Sequence, residues 1–137
     1  IGDMAHATSS SDMLTLTNQA QEMVAKGLSP IVSYSGGAVG SVFSTGQNPA
    51  VLFGSASLGV NFSSGAVTGN VVFPQDNISM NGVVAGSSFA GTTQLNGGGA
   101  GSFQGGFFGS AAKEAAGTFG VQNADRQAVG AFGLQKQ

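Results

Sequence analysis

The chain has 137 residues, enough for one domain with one core, and only six acidic and four basic side chains give a net charge of −2. So few basic groups leave no electrostatic footprint for nucleic acid, and the absence of cysteine excludes a disulfide framework, a thiolate nucleophile and a cysteine-based metal site. Twenty-four glycines without a Gly-x-y period and only three prolines exclude collagen and proline-rich disorder; among short runs of Val, Phe and Thr they point to strands joined by tight turns.

The first residues, Ile1-Gly2-Asp3-Met4, have neither the basic nor the apolar part of an intact signal peptide, and no cysteine offers an acyl anchor, so the start reads as a mature or trimmed end. Residues 1–12 are small and polar and are expected to be mobile. Over 13–26, Leu16, Ala20, Met23 and Val24 recur at helical spacing. Ser11 or Asp12 stands where a cap belongs and Gly27 where a helix stops, so a short amphipathic helix is expected. The rival reading is an extended segment through 13–17, where Thr alternates with Leu, donated to a neighbour's sheet. The chain thus divides into an N-terminal extension, 1–28, and a barrel domain, 29–137.

After Pro30 the period becomes two. Residues 31–34 and 39–43 read as two strands split by a turn at Gly36-Gly37. Residues 51–62 and 66–73 form a hairpin pattern and 74–77 a loop. Strands follow at 78–89 and 102–108, with 97–101 as a flexible turn. Two last strands, 117–121 and 128–134, flank the loop 123–126. The stretches 27–75 and 77–112 contain no charged side chain, so an open sheet would lack the charges that usually guard edge strands. Either the sheet closes on itself or another chain pairs with its edge. The expected fold is all-β, a small antiparallel up-and-down barrel of about eight strands behind a short N-terminal helix or extended segment. One Tyr and no Trp cannot build the two aromatic girdles of a membrane barrel, which places the phenylalanines inside. No apolar run reaches the roughly 18 residues of a membrane helix.

The segment 101–119, GSFQGGFFGSAAKEAAGTF, and the ending AVGAFGLQ resemble the C-terminal barrel of the transferrin-binding-protein-B-like family of bacterial surface lipoproteins and their solute-binding relatives. The family pattern runs Phe-aromatic-Gly, a variable turn, Ala-x-Glu, Gly-Gly-x-Phe and a final Gly-x-Phe strand. Phe107, Phe108, Gly109, Ala112, Glu114, Gly117 and Phe119 match it, as do Gly130, Ala131, Phe132 and Gly133. Residues 56–73 resemble the family's preceding hairpin, so about half the chain is covered. Ser110 stands where Pro is usual and Ala116 where the first Gly is usual. With room for one barrel, the two-lobed receptors' transferrin-contact surface is not carried over. The motif itself reads as a short helical turn over 111–116, with Glu114 accepting backbone N–H groups and Gly117 restarting the strand.

Catalytic chemistry finds little support. The only histidine, His6, lies in the tail, Ser has no base beside it, no phosphate-binding GxxxxGK[ST] run exists, and the acids are scattered singly. Asn61 and Asn77 head formal glycosylation sequons. Because the resemblance extends to secreted haem carriers, His6 and Tyr34 are candidate axial ligands, with Met4, Met13, Met23 or Met80 as further ones. The leading expectation is a non-enzymatic module, secreted or on the bacterial surface, that holds a host protein or small solute through loops at a barrel mouth. The alternatives are a surface-filament subunit that shares strands with copies of itself through its N-terminal segment, and a haem carrier. Nucleic acid and a membrane span are not expected.

Overall fold

The alternating segments become eight strands in a closed antiparallel barrel, each paired with its neighbours in sequence and β8 with β1. The strands are β1 (Ile31–Ser44), β2 (Ala50–Asn61), β3 (Ala66–Val72), β4 (Asn77–Ala85), β5 (Ser88–Leu95), β6 (Gly98–Phe108), β7 (Glu114–Gln122) and β8 (Arg126–Lys136). A helix, α1 (Ser10–Ala25), precedes them, and a 3-10 turn (Ser110–Ala112) joins β6 to β7. The computed structural model describes residues 7–28, 30–44, 46, 48–74, 76–96 and 98–137.

Register sets the width of the barrel. Paired residues followed once around run from Val32 through Val60, Val67, Gly82, Gly91, Phe103, Phe119 and Gly130, and return to β1 at Gly40, eight residues beyond the start. A stagger of eight on eight strands belongs to barrels whose interior is just wide enough for side chains to fill. The row shows how it is filled, by large residues set beside glycines. The Phe119 ring lies over Gly130 and the Phe132 ring over Gly117, while Phe89 covers Gly105. Along the axis Phe107 meets Tyr34, Phe62 and Phe89 at ring-centre distances of 5.7, 5.4 and 5.1 Å. A Cβ on Gly130 would stand 2.3 Å from the Val39 carbonyl oxygen and 2.7 Å from the Phe119 ring. Gly130→Ala is therefore expected to cost about 2–3 kcal/mol in chemical denaturation, because a backbone atom cannot yield as a side chain does. A loss below about 0.5 kcal/mol, the usual range of surface changes, would show that the strands can slide apart here.

The strand count agrees with the sequence pattern, but two boundary errors cancel within it. Gly36-Gly37 is no turn; both residues lie inside the fourteen-residue β1. A Cβ on Gly36 would lie 2.1 Å from the Gly133 carbonyl oxygen, so this glycine answers a close strand approach rather than a reversal. Conversely, 78–89 is not one strand, since β4 ends at Ala85 and β5 starts at Ser88, directly paired with it. Gly86, with φ of 62°, turns the chain. The run 97–101 is mostly strand as well: β6 begins at Gly98, and the reversal falls at Asn96, φ 53°. Asn-Gly was the stronger hairpin signal there.

Residues 10–25 are helical, so the extended, donated form of this segment is not what the chain adopts. The cap is Ser9, whose side chain accepts the Asp12 N–H, rather than Ser11 or Asp12. The helix stops at Gly27, φ 74°, with Gly27 N–H donating to Val24 O and Leu28 N–H to Met23 O. It lays Met13, Leu16 and Ala20 onto one end of the barrel. Barrel closure and this helix together remove the free edges on which strand sharing rested.

Candidate binding surface

The barrel has two unlike ends. At one lie α1, the β2–β3, β4–β5 and β6–β7 turns and the C-terminal residues; at the other lie the β1–β2, β3–β4, β5–β6 and β7–β8 connections.

At the helix end the β6–β7 connection is bound from four directions. Gly109, Ala111 and Ala112 have φ of 81°, 54° and 52°, and two adjacent alanines in the left-handed region cost about 1–2 kcal/mol each. Hydrogen bonds offset that strain. Asp12 Oδ2 accepts the Ala111 N–H at 2.9 Å, Lys136 Nζ donates to Ala111 O at 2.6 Å, and Tyr34 Oη donates to Ala112 O at 2.6 Å. Thr8, in the stretch expected to be mobile, is buried instead; its hydroxyl donates to Gly109 O and its N–H to Phe107 O. Burial lowers the Lys136 amine from its usual value and raises the Tyr34 phenol well above its usual value near 10.

Tyr34 is thus a core side chain whose hydroxyl is already engaged, and haem ligation by it would require opening both the core and the bond to Ala112. His6 and Met4 lie outside the described residues. Met13 and Met80 pack in the core, whereas Met23 is exposed on α1. Tyr34→Phe keeps the ring and leaves the buried Ala112 carbonyl without this donor, an expected loss of about 1–2 kcal/mol. It carries a pH signature. A folded-state pKa above the unfolded one means that stability present below pH 10 falls as pH rises past 10, because only the unfolded chain then releases the proton. As the only tyrosine, it reports alone in the phenolate absorbance. Its titration should be delayed until alkaline unfolding, and ionisation near pH 10 with the fold intact would contradict the buried placement.

At the opposite end a polar cluster ties the β3–β4 and β5–β6 connections to the start of β8. Arg126 Nη2 lies 2.6 Å from Asp76 Oδ2, and Asn96 Nδ2 donates to Asp76 Oδ1 at 3.0 Å. The Asp76 carboxylate is fully buried, whereas the Arg126 side chain is about one-third exposed. Asn123 Oδ1 accepts the Asp125 and Arg126 N–H groups and shapes the β7–β8 turn. The sequence reading passed over this cluster. Its signal was that Asp76 is the one charged residue between Lys26 and Lys113.

The outer wall is one-sided. Outward positions of β3 to β7 are mostly polar, with Thr68, Asn70, Asn81, Thr92, Gln94, Ser102, Gln104 and Thr118 exposed and Val83 as an exposed apolar exception. Across β8, β1, β2 and the end of β3 they carry Val129, Val39, Phe43, Val51, Phe53 and Val72, also exposed.

A family model described as the C-lobe and N-lobe β-barrels of transferrin-binding protein B matches residues 8–136. The chain belongs to this family. Solved structures agree on the fold. Transferrin-binding protein B of serogroup B Neisseria meningitidis superposes with a TM-score of 0.67 at 18% identity over 78% of this chain and 25% of that one. A protein described as a surface lipoprotein gives 0.64 at 17% identity, over 78% and 61% of the two chains. The N-lobe of lactoferrin-binding protein B from Moraxella bovis gives 0.59 at 16% identity, over 78% and 59%. The chain therefore spans about a quarter of the first of these proteins and about three-fifths of the other two. A search of curated sequences found no significant match.

In this barrel, the matched motif residues occupy packing positions. Gly109 takes the left-handed turn, Ala112 is buried against Tyr34 and Glu114 is buried at the start of β7. Phe119 and Phe132 cover the glycines, and Phe108, half-buried, pairs with Glu114. The helical turn is shorter than 111–116, because Glu114, Ala115 and Ala116 already lie in β7.

Proposed function

We propose that this barrel is a binding module of the bacterial cell surface that holds a host protein through the loops at the end away from α1. The observation that carries the reading is the filled interior. With Phe89, Phe119 and Phe132 packed over glycines and Phe103 and Phe107 buried inside the same narrow barrel, recognition falls to the outside and favours a macromolecular partner over a small solute. The strand ends joined by the β1–β2, β3–β4, β5–β6 and β7–β8 connections lie at one mouth, while the helix covers the other. On this reading residues 29–137 are the recognition unit, and 1–28 act as its cap. The proteins with similar structures are described as binding transferrin or lactoferrin, which makes these two the first probes.

The test is surface plasmon resonance with the immobilised chain and transferrin, lactoferrin and whole serum as analytes. Saturable binding is expected, lost when loop 45–49 is replaced by a two-residue turn and kept in Leu14→Ser on the exposed face of α1. Flat responses to all three analytes, or binding indifferent to the loop, would overturn the reading.

A further inference from the structure

Six of the exposed apolar side chains of the barrel wall gather on one face, while Ile31 and Val83 stand elsewhere on the wall and Leu14, Met23, Val24 and Leu28 are exposed on or just after α1. Val39 and Phe53 are directly paired across β1 and β2, and Ser41 pairs with both Val51 and Val129. Phe43 and Val72 extend the same face at either side. Phe53 is 76% exposed and Val51 66%. Such values leave these side chains in water unless something covers them. Counting about 200 Å² for a free phenyl-bearing side chain, the six residues expose roughly 500 Å² of apolar surface, near the upper end for an ordinary monomer and well over half of the ~800 Å² that each partner of a stable complex buries.

The shape of the face selects the occupant. Beside the Phe53 ring runs a shallow groove of about 430 Å³, lined by Gly37, Val39, Gly54, Ala131 and Gly133 with Phe53 as one wall. The groove is open because Gly37, Ala131 and Gly133 hold outward positions of β1 and β8 there, with Val39 at its edge. A projecting ring and a receiving groove, side by side on one sheet, are what a two-fold interface requires, since each copy must offer both. Charge permits the same occupant. No residue from 27 to 75 is charged, and the β8 positions on this face are Val129, Ala131 and Gly133, so two copies meet without like-charge repulsion.

We propose that the β8–β1–β2 face is a two-fold interface between copies of this chain, with Phe53 of each seated in the Gly37–Ala131–Gly133 groove of the other and the axis close to Val39. The contact is sheet against sheet, and Phe43 and Val51 carry it up to the β1–β2 connection. It differs from strand sharing, because every barrel stays closed.

Analytical ultracentrifugation of the chain from about 1 to 200 μM should show a monomer–dimer equilibrium. Phe53→Asp, at an exposed position outside the core, should raise the dimer dissociation constant by at least about tenfold, as for a central aromatic anchor, with an unchanged circular dichroism spectrum. Because the chain has no cysteine, Val39→Cys introduces a single thiol, and a short bismaleimide should link two copies through it. Thr118→Cys, outward on β7, serves as the control and should not be linked. A monomer throughout the range, a dimer indifferent to Phe53→Asp, or equal crosslinking of the two thiols would overturn the proposal. Transferrin and lactoferrin are absent from these experiments, so the result stands apart from the surface plasmon resonance outcome.

Discussion

Phe107→Ala is expected to lower the unfolding free energy by about 3–5 kcal/mol and the melting temperature by roughly 15 °C. The side chain is fully buried and its ring meets Tyr34, Phe62 and Phe89, so it joins the layer under α1 to the middle of the barrel. Its backbone is equally committed, with Phe107 N–H donating to Ser87 O and its carbonyl accepting Thr8 N–H. The closed sheet fixes the wall around the ring, which limits how far neighbours can collapse into the space. The loss should therefore fall near the upper part of the range for large-to-small core changes. Thermal and urea unfolding of the purified chain measure it. A change below about 1 kcal/mol would mean that the interior is looser than the register implies.

Removing the cation from the open mouth is expected to have the next largest effect. Arg126→Met leaves the buried Asp76 carboxylate with Asn96 Nδ2 as its remaining side-chain donor among the described residues. Uncompensated buried charges cost about 3–5 kcal/mol when one partner of a buried pair is removed, and the partial exposure of Arg126 places the expectation near 3 kcal/mol. The double change Asp76→Asn with Arg126→Met removes the charge along with its partner and should recover a large part of the loss. Denaturation of the two single variants and the double variant gives the coupling directly. Additive losses would show that the pair does not act as a unit. The consequence for function follows from position. The bond ties the β3–β4 loop to the start of β8, so Arg126→Met should also weaken any ligand held by that mouth, through lost loop order rather than a lost contact.

Both predictions rest on features of different visibility in the sequence. The packing role of phenylalanine was readable for seven of the ten rings, which are buried, but not for Phe43 and Phe53, which the sequence reading put inside and the register turns outward. The partner of Asp76 was not readable, because Arg126 lies fifty residues away and nothing local points from one to the other. Tyr34 shows the same division. A lone tyrosine among serines and glycines invites a ligand role, and only the fold brings the Ala112 carbonyl to its hydroxyl from 78 residues away.

The β6–β7 turn that carried the family resemblance separates the two sources most clearly. Composition and period alone determined that the chain is all-β, that its sheet closes or is shared, and that phenylalanine and glycine build its wall. Those properties follow from side-chain size, charge and alternation, which are local. Gly36-Gly37 was misread as a turn because glycine serves reversal and close approach alike, and only the neighbouring strand reveals which. The stagger of eight, the helix seated on one mouth, the buried ion pair at the other and the gathering of Val39, Val51, Phe53 and Val129 on one face were decided by tertiary structure. Each depends on which residues of distant strands are brought into register, and register is a property of the closed sheet rather than of any strand in it.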